Sequence, residues 1–240
     1  MPQNRRDLLL HAGVAVSTLA LVRNARAAAP APWAQAAAGS HAVVPLPFAA
    51  DKLKGLSAKM LTSHHENNYA GAIKNLNKVE LELAKATKDT PAFAVAGLRQ
   101  SELQFRNSAA LHELYFGNLG GDGKVAGSVA VDVAAAFGSA GRFDEQFRQA
   151  AAGLYGGSGW VTLGLDTSTR ALTVSATQNH TQAAVATLPL LVMDMYEHSY
   201  QMDFGAAAAR YVDAFMENVA WEEVDRRHQK ARAVLALLHP

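Results

Sequence analysis

From Leu56 to Lys88 apolar residues recur at spacings of three and four, which predicts a helix with Ser57 at its N-cap. Leu61, His64, Asn68, Ala72 and Leu76 share one face of that helix, so His64 points where the apolar residues point and His65 looks elsewhere. Thr90-Pro91 breaks the pattern, and a second helical stretch runs to about Phe116 with Phe105, Ala109, His112 and Phe116 on one face. The pair reads as an α-hairpin with one inward histidine on each helix. An inward histidine is either a satisfied core residue or a ligand, and two that face each other move that balance towards a metal.

Asn118–Gly127 is a glycine-rich turn and the expected domain boundary, and with no strand before it, it does not read as a phosphate loop. Short helices are predicted at Val129–Phe137 and Arg142–Leu154. Gly156-Gly157-Ser158-Gly159 then leads into two alternating stretches, Trp160–Asp166 and Ala171–Thr177, which read as a β-hairpin. Pro189–Asp194 reads as a further buried strand, and Tyr211–Leu238 as helix. Within Leu190–His198 the apolar run ends in Asp194 and His198 follows four residues later. One short segment could thus deliver a carboxylate and an imidazole to a metal, or Asp194 could simply cap a turn.

Half of the 240 residues are hydrophobic, enough for one or two cored domains, and a formal charge of +1 leaves no electrostatic footprint for nucleic acid. Cysteine is absent, which excludes disulfides, thiolate zinc sites and cysteine nucleophiles and leaves His and Asp/Glu as the strong ligands. Asn4-Arg5-Arg6-Asp7-Leu8-Leu9-Leu10, the apolar stretch to Val22 and the small-residue step Ala25-Arg26-Ala27 read as a twin-arginine export signal over residues 1–29. The uninterrupted apolar run is shorter than the roughly 20 residues a membrane anchor needs. Export of a folded chain to the periplasm suits a protein that takes its metal first. Cutting after residue 27 removes four arginines and one aspartate, leaving 18 basic and 20 acidic residues. Residues 30–44, rich in Ala and Pro, are expected to form a flexible leader.

With these residues in view, positions about 45–230 resemble the iron/manganese superoxide dismutase family. The resemblance rests on LPFAADKL at 46–53, on His64, on LHELYFGNL around His112, on Gly157–Trp160 (GSGW), and on Asp194 and His198 of DMYEH. It implies an α+β fold, with an N-terminal α-hairpin domain at 45–122 and a C-terminal α/β domain at 123–238 around a small three-stranded antiparallel sheet. It also implies one iron or manganese ion per subunit, held by His64, His112, Asp194 and His198. The implied activity is conversion of superoxide to hydrogen peroxide and dioxygen, which needs a one-electron metal and so excludes zinc, calcium and magnesium. A homodimer is implied too, with Glu197 of one subunit reaching His198 of the other.

Around the ligands the chain departs from the family pattern. Ala72 stands where a tyrosine usually gates the substrate channel, with Tyr69 nearby on another helical face. Asn68 replaces a common histidine, Phe116 and Tyr196 replace tryptophans, Thr162 replaces the second Trp of GSGWxW, and Gln201 replaces a tyrosine. Family members set a glutamine against the metal-bound solvent from one of two places. Ser108 occupies the first, and at the second His180 resembles members that use histidine there. Trp160, Tyr196, His180 and Tyr69 are therefore the candidate groups around the ligands. Erosion of this layer supports an alternative, a superoxide-dismutase-like protein that keeps the metal without turnover. A di-iron bundle lacks its paired E-x-x-H motifs, since only Asp225-x-x-His228 approximates one, in a charged tail that reads as a solvated face.

Overall fold

The computed structural model describes residues 39–238. The export signal at 1–29 and the leader up to residue 38 lie outside them.

The first long helix, α1, is built of three segments: α-helical Ala58–Ser63, π-helical His64–Tyr69 and α-helical Ala70–Lys85. Ser57 caps it as expected, its hydroxyl accepting the Met60 N–H at 3.1 Å. In the middle segment the Ala70 N–H reaches back to the carbonyl of His65, five residues away. That extra residue in the turn rotates everything after it. The buried face therefore runs from His64 to Tyr69 and on to Ala72, Ile73 and Leu76, while Asn68 is only half-buried. The expected face of strict three- and four-residue spacing is corrected by the π segment.

Helix α2, Ala92–Gly117, packs back along α1 and buries Ser108, Ala109, His112, Tyr115 and Phe116. Residues 39–44, which composition assigns to a flexible leader, are held against α1. Asn77 accepts the His41 N–H at 2.8 Å and donates to the His41 carbonyl at 2.9 Å.

Two short helices follow, α3 at Val129–Phe137 and α4 at Ala140–Ala152. Strands β1 (Trp160–Asp166), β2 (Leu172–Thr177) and β3 (Thr187–Asp194) form an antiparallel sheet in the order β2-β1-β3. The central position of β1 sets Trp160 opposite Thr177 on one side and Asp194 on the other. Gly159, just before β1, has φ +151, and a Cβ there would lie 1.9 Å from the Thr177 carbonyl oxygen. Only glycine fits that approach.

The predicted C-terminal helix is two helices, α5 at Ala208–Glu217 and α6 at Trp221–Leu238. The chain breaks at Asn218 because its backbone and side chain are claimed from elsewhere. The Asn218 side chain accepts the Lys54 N–H at 2.9 Å and donates to the Lys54 carbonyl at 2.7 Å. The Ala220 N–H donates to the Asn118 carbonyl at 2.9 Å. His228 does not lie on a solvated face as the charged tail suggests. It is buried, 2.8 Å from Asp132 of α3, and Asp225 accepts the Val129 N–H at the start of α3. Among the described residues no helix is long and apolar enough to cross a membrane.

Candidate metal centre

Four side chains from three elements and one turn meet where α1, α2 and the end of β3 come together. His64 sits in the π segment of α1, His112 in the last turns of α2, Asp194 at the end of β3, and His198 in the short turn after it. One donor atom from each lies within 4.8 Å of all the others. Oδ2 of Asp194 is 3.1 Å from Nε2 of His64, 3.2 Å from Nε2 of His198 and 3.6 Å from Nε2 of His112. Such separations suit donors about 2.0–2.2 Å from a shared ion.

The surroundings fix the orientation of each group. Nδ1 of His112 donates to the Ser108 carbonyl one turn back at 2.7 Å, so its Nε2 is a bare lone pair. That nitrogen is buried and without a hydrogen-bond partner. It faces the Asp194 carboxylate, which also can only accept. Asp194 is itself held on three sides. Its Oδ1 takes the Tyr196 N–H at 2.8 Å, and its carbonyl takes the hydroxyls of Ser199 at 2.9 Å and Tyr211 at 2.7 Å. Tyr115 and Phe116 pack against the His64 ring, and Trp160 meets the His112 ring edge-on.

Burial governs the charge states. It drives the pKa of His64 down, against the pull of Asp194, and it pushes His112 down to about 3. Burial acts on Asp194 in the opposite sense, but the combined attraction of His198 and His64 prevails and keeps the carboxyl ionised. At His64 and His112 burial thus favours the neutral imidazole, beside a fully buried carboxylate. A charge so buried is costly unless a cation answers it, and nitrogen and carboxylate donors suit a transition metal.

A cavity of ≈ 210 Å³ opens from this group, reaching His112 and His198 between walls that include Asn67, Asn68, Ala72, Gln104, Ser108 and His180. His180 accepts the Trp160 indole N–H at 3.0 Å and stacks on Tyr196 with centroids 4.7 Å apart, and Tyr196 stacks in turn on His198 at 5.4 Å. Burial lowers the His180 pKa and raises that of Tyr196 to about 12. These three expected neighbours thus lie together. Tyr69 is buried 6.3 Å from the His112 ring, but its hydroxyl serves Val44 and Glu113 in a separate groove. Asn107 escapes sequence reasoning: its amide donates to the His180 carbonyl at 2.7 Å, across 73 residues that no local pattern links.

A helical hairpin packed on a three-stranded antiparallel sheet, with a buried His/Asp donor group between them, defines a protein with a His/Asp metal-binding group. Residues 125–227 match the family model for the C-terminal domain of iron/manganese superoxide dismutases. The chain is 42% identical over 181 residues to the superoxide dismutase [Fe] of Cupriavidus metallidurans, covering 75% of this chain and 92% of that one. It is 32% identical to superoxide dismutase [Mn] 1 of Halobacterium salinarum, over 78% of this chain and 94% of that protein. It is 35% identical to the superoxide dismutase [Mn] of Mycobacterium intracellulare, over 73% and 86% of the two chains. The chain belongs to the iron/manganese superoxide dismutase family.

Proposed function

We propose that the protein converts superoxide to hydrogen peroxide and dioxygen at one iron or manganese ion per subunit, held by His64, His112, Asp194 and His198. The observation that carries this reading is the buried lone pair of His112 facing the Asp194 carboxylate at 3.6 Å with nothing to donate between them. Two acceptors in such a position repel unless a cation joins them. The bound metal supplies the one-electron redox chemistry.

The chain's own residues bring substrate and protons to it. The open cavity ends at His112 and His198, so a diatomic anion has a path in. Its walls carry neutral amides, which can hold water in hydrogen-bond reach without adding charge to the approach. His180 accepts from Trp160 through Nδ1, so in the neutral ring Nε2 bears the proton. The neutral His180 ring is therefore a hydrogen-bond donor at the cavity wall, the role for which family members use glutamine or histidine. Access to the donor group favours turnover over the alternative of a metal-holding structural protein.

Two further features belong to the same reading. The chain is exported to the periplasm through the twin-arginine signal at its N-terminus. It works as a homodimer in which Glu197 supports His198 of a second subunit. His198 has 26% of its side chain exposed in the single chain, against 2% or less for the other three, as a ligand completed by a neighbouring copy would. Metal analysis and a superoxide-scavenging assay on the mature chain test the central claim. Stoichiometric iron or manganese with fast scavenging is expected, and metal without scavenging would favour the structural alternative.

A further inference from the structure

The hydroxyl of Tyr69 is the hub of a small network in a groove that shares no lining residue with the cavity leading to the donor group. The Val44 N–H donates to the Tyr69 oxygen at 2.9 Å, and the Tyr69 hydroxyl donates to Glu113 Oε1 at 2.8 Å. His65 donates from Nε2 to the Val44 carbonyl at 2.8 Å, because a carbonyl can only accept. His65 directly follows His64, and Glu113 directly follows His112. Phe116 links the network to the site: its ring lies 5.3 Å from His65, 6.3 Å from Tyr69 and 5.0 Å from His64.

Two things give this network work to do. His64 and Tyr69 are the first and last residues of the π segment, a rare geometry that occurs mostly as single turns inside α-helices and frequently at functional sites. Val44 in turn belongs to the segment pinned to α1 by Asn77, and by Glu80, which accepts the Gly39 N–H at 3.1 Å and lies 3.0 Å from the His41 ring nitrogen. Burial pushes the Tyr69 phenol up to about 12, partly offset by the Val44 N–H, so the hydroxyl stays a donor in neutral and alkaline solution.

We propose that the segment preceding α1 is a working part of the metal centre, with Tyr69 and Glu113 as positioning residues. Through Val44 they clamp α1 to α2 behind His64 and His112 and slow the escape of the metal. The clamp sets how long the site holds its ion, and it is distinct from proton delivery in the cavity. It rests on the reading of those histidines as ligands.

The test uses the metal-loaded mature chain and follows metal transfer to a chromophoric chelator, together with the visible absorption of the bound ion. Tyr69→Phe and Glu113→Ala are expected to release metal about tenfold faster, the lower end of what lost support behind a ligand costs. Glu113→Gln keeps an acceptor oxygen for Tyr69 and is expected to restore slow release, which loss of surface charge alone would not do. The absorption should shift in Tyr69→Phe and Glu113→Ala and stay normal in Glu113→Gln. If Tyr69→Phe fails to fold, the exposed Glu113 pair decides by itself. Unchanged release in Glu113→Ala, or release from Glu113→Gln as fast as from Glu113→Ala, overturns the clamp. An unaltered chain that never takes up metal would instead sink the metal-site reading on which the clamp stands.

Discussion

Trp160 donates its indole N–H to Nδ1 of His180 at 3.0 Å, and this bond decides which nitrogen of that imidazole carries the proton. Trp160 is itself fixed by the sheet, where it pairs with Asp194 across β1 and β3 and packs edge-on against His112. The tautomer of His180 is thus tied to the same strand pairing that places the carboxylate.

Trp160→Phe keeps an aromatic ring in place and removes that donor. The variant should retain its metal, because none of the four donor atoms is lost. Turnover should fall by about an order of magnitude, since outer contacts of this kind typically matter 10–100-fold, and its pH profile should move as His180 samples the other tautomer. Steady-state scavenging across pH checks this. An unaltered profile at full metal content would show that the proton on His180 has no part in turnover.

The metal-free chain should lose stability in acid over a defined window. Burial holds His112 down at about 3 against an ordinary value of 6.5, and His64 is lowered in the same sense. Between those limits the unfolded chain binds a proton that the folded His112 refuses, so acidification favours unfolding. Each pH unit in that window removes roughly 1.4 kcal/mol per histidine at most. The lowered Asp194 acts in the same direction below its ordinary carboxyl range. Thermal unfolding of the metal-free protein from pH 7.5 to 4 should show a falling midpoint. Metal should blunt the fall until protons displace it. A midpoint that rises on acidification would contradict neutral imidazoles.

His64, His112 and Asp194 are legible in sequence because they sit where helical periodicity or a strand end fixes their direction, whereas His198, in the turn after β3, entered the set through the family resemblance. Tyr69 is different, since the helical pattern assumes a constant turn and the π segment inserts one residue into it. The break between α5 and α6 is hidden for another reason: Asn218 answers to Lys54, 164 residues away. His228 looks solvated beside its charged neighbours, and only its contact with Asp132, 96 residues back, explains its burial. Residues 39–44 have leader-like composition, but their partners Asn77, Glu80 and Tyr69 lie on α1. What local pattern misses are polar contacts between distant parts of the chain.

Ala72 lines the cavity with His112 and His198 and is 5% exposed, so a larger side chain there would project towards the donor group. Ala72→Tyr restores the residue type the family usually has at this position. The variant should keep full metal content and turn over faster at high superoxide, where proton delivery limits the rate. Pulse-radiolysis traces over a range of superoxide concentrations separate the two regimes. A uniform loss of rate at every concentration would mean that cavity width governs turnover in this protein.

In the proposed homodimer Glu197 would bear on assembly and on the metal together. It lies exposed beside His198, whose Nε2 faces Asp194 at 3.2 Å. A two-fold axis near this turn would place Glu197 of each subunit against His198 of the other, a self-complementary contact made twice. A carboxylate on the outer nitrogen of a ligating imidazole fixes its tautomer and raises its basicity. Glu197→Ala should therefore shift sedimentation from dimer towards monomer at low protein concentration, and speed metal release by about tenfold or more. Glu197→Gln should keep much of the assembly while holding metal less well, because an amide is the weaker acceptor. If Glu197→Ala remains dimeric, retains its metal and scavenges normally, the contact is absent and the copies meet through another face.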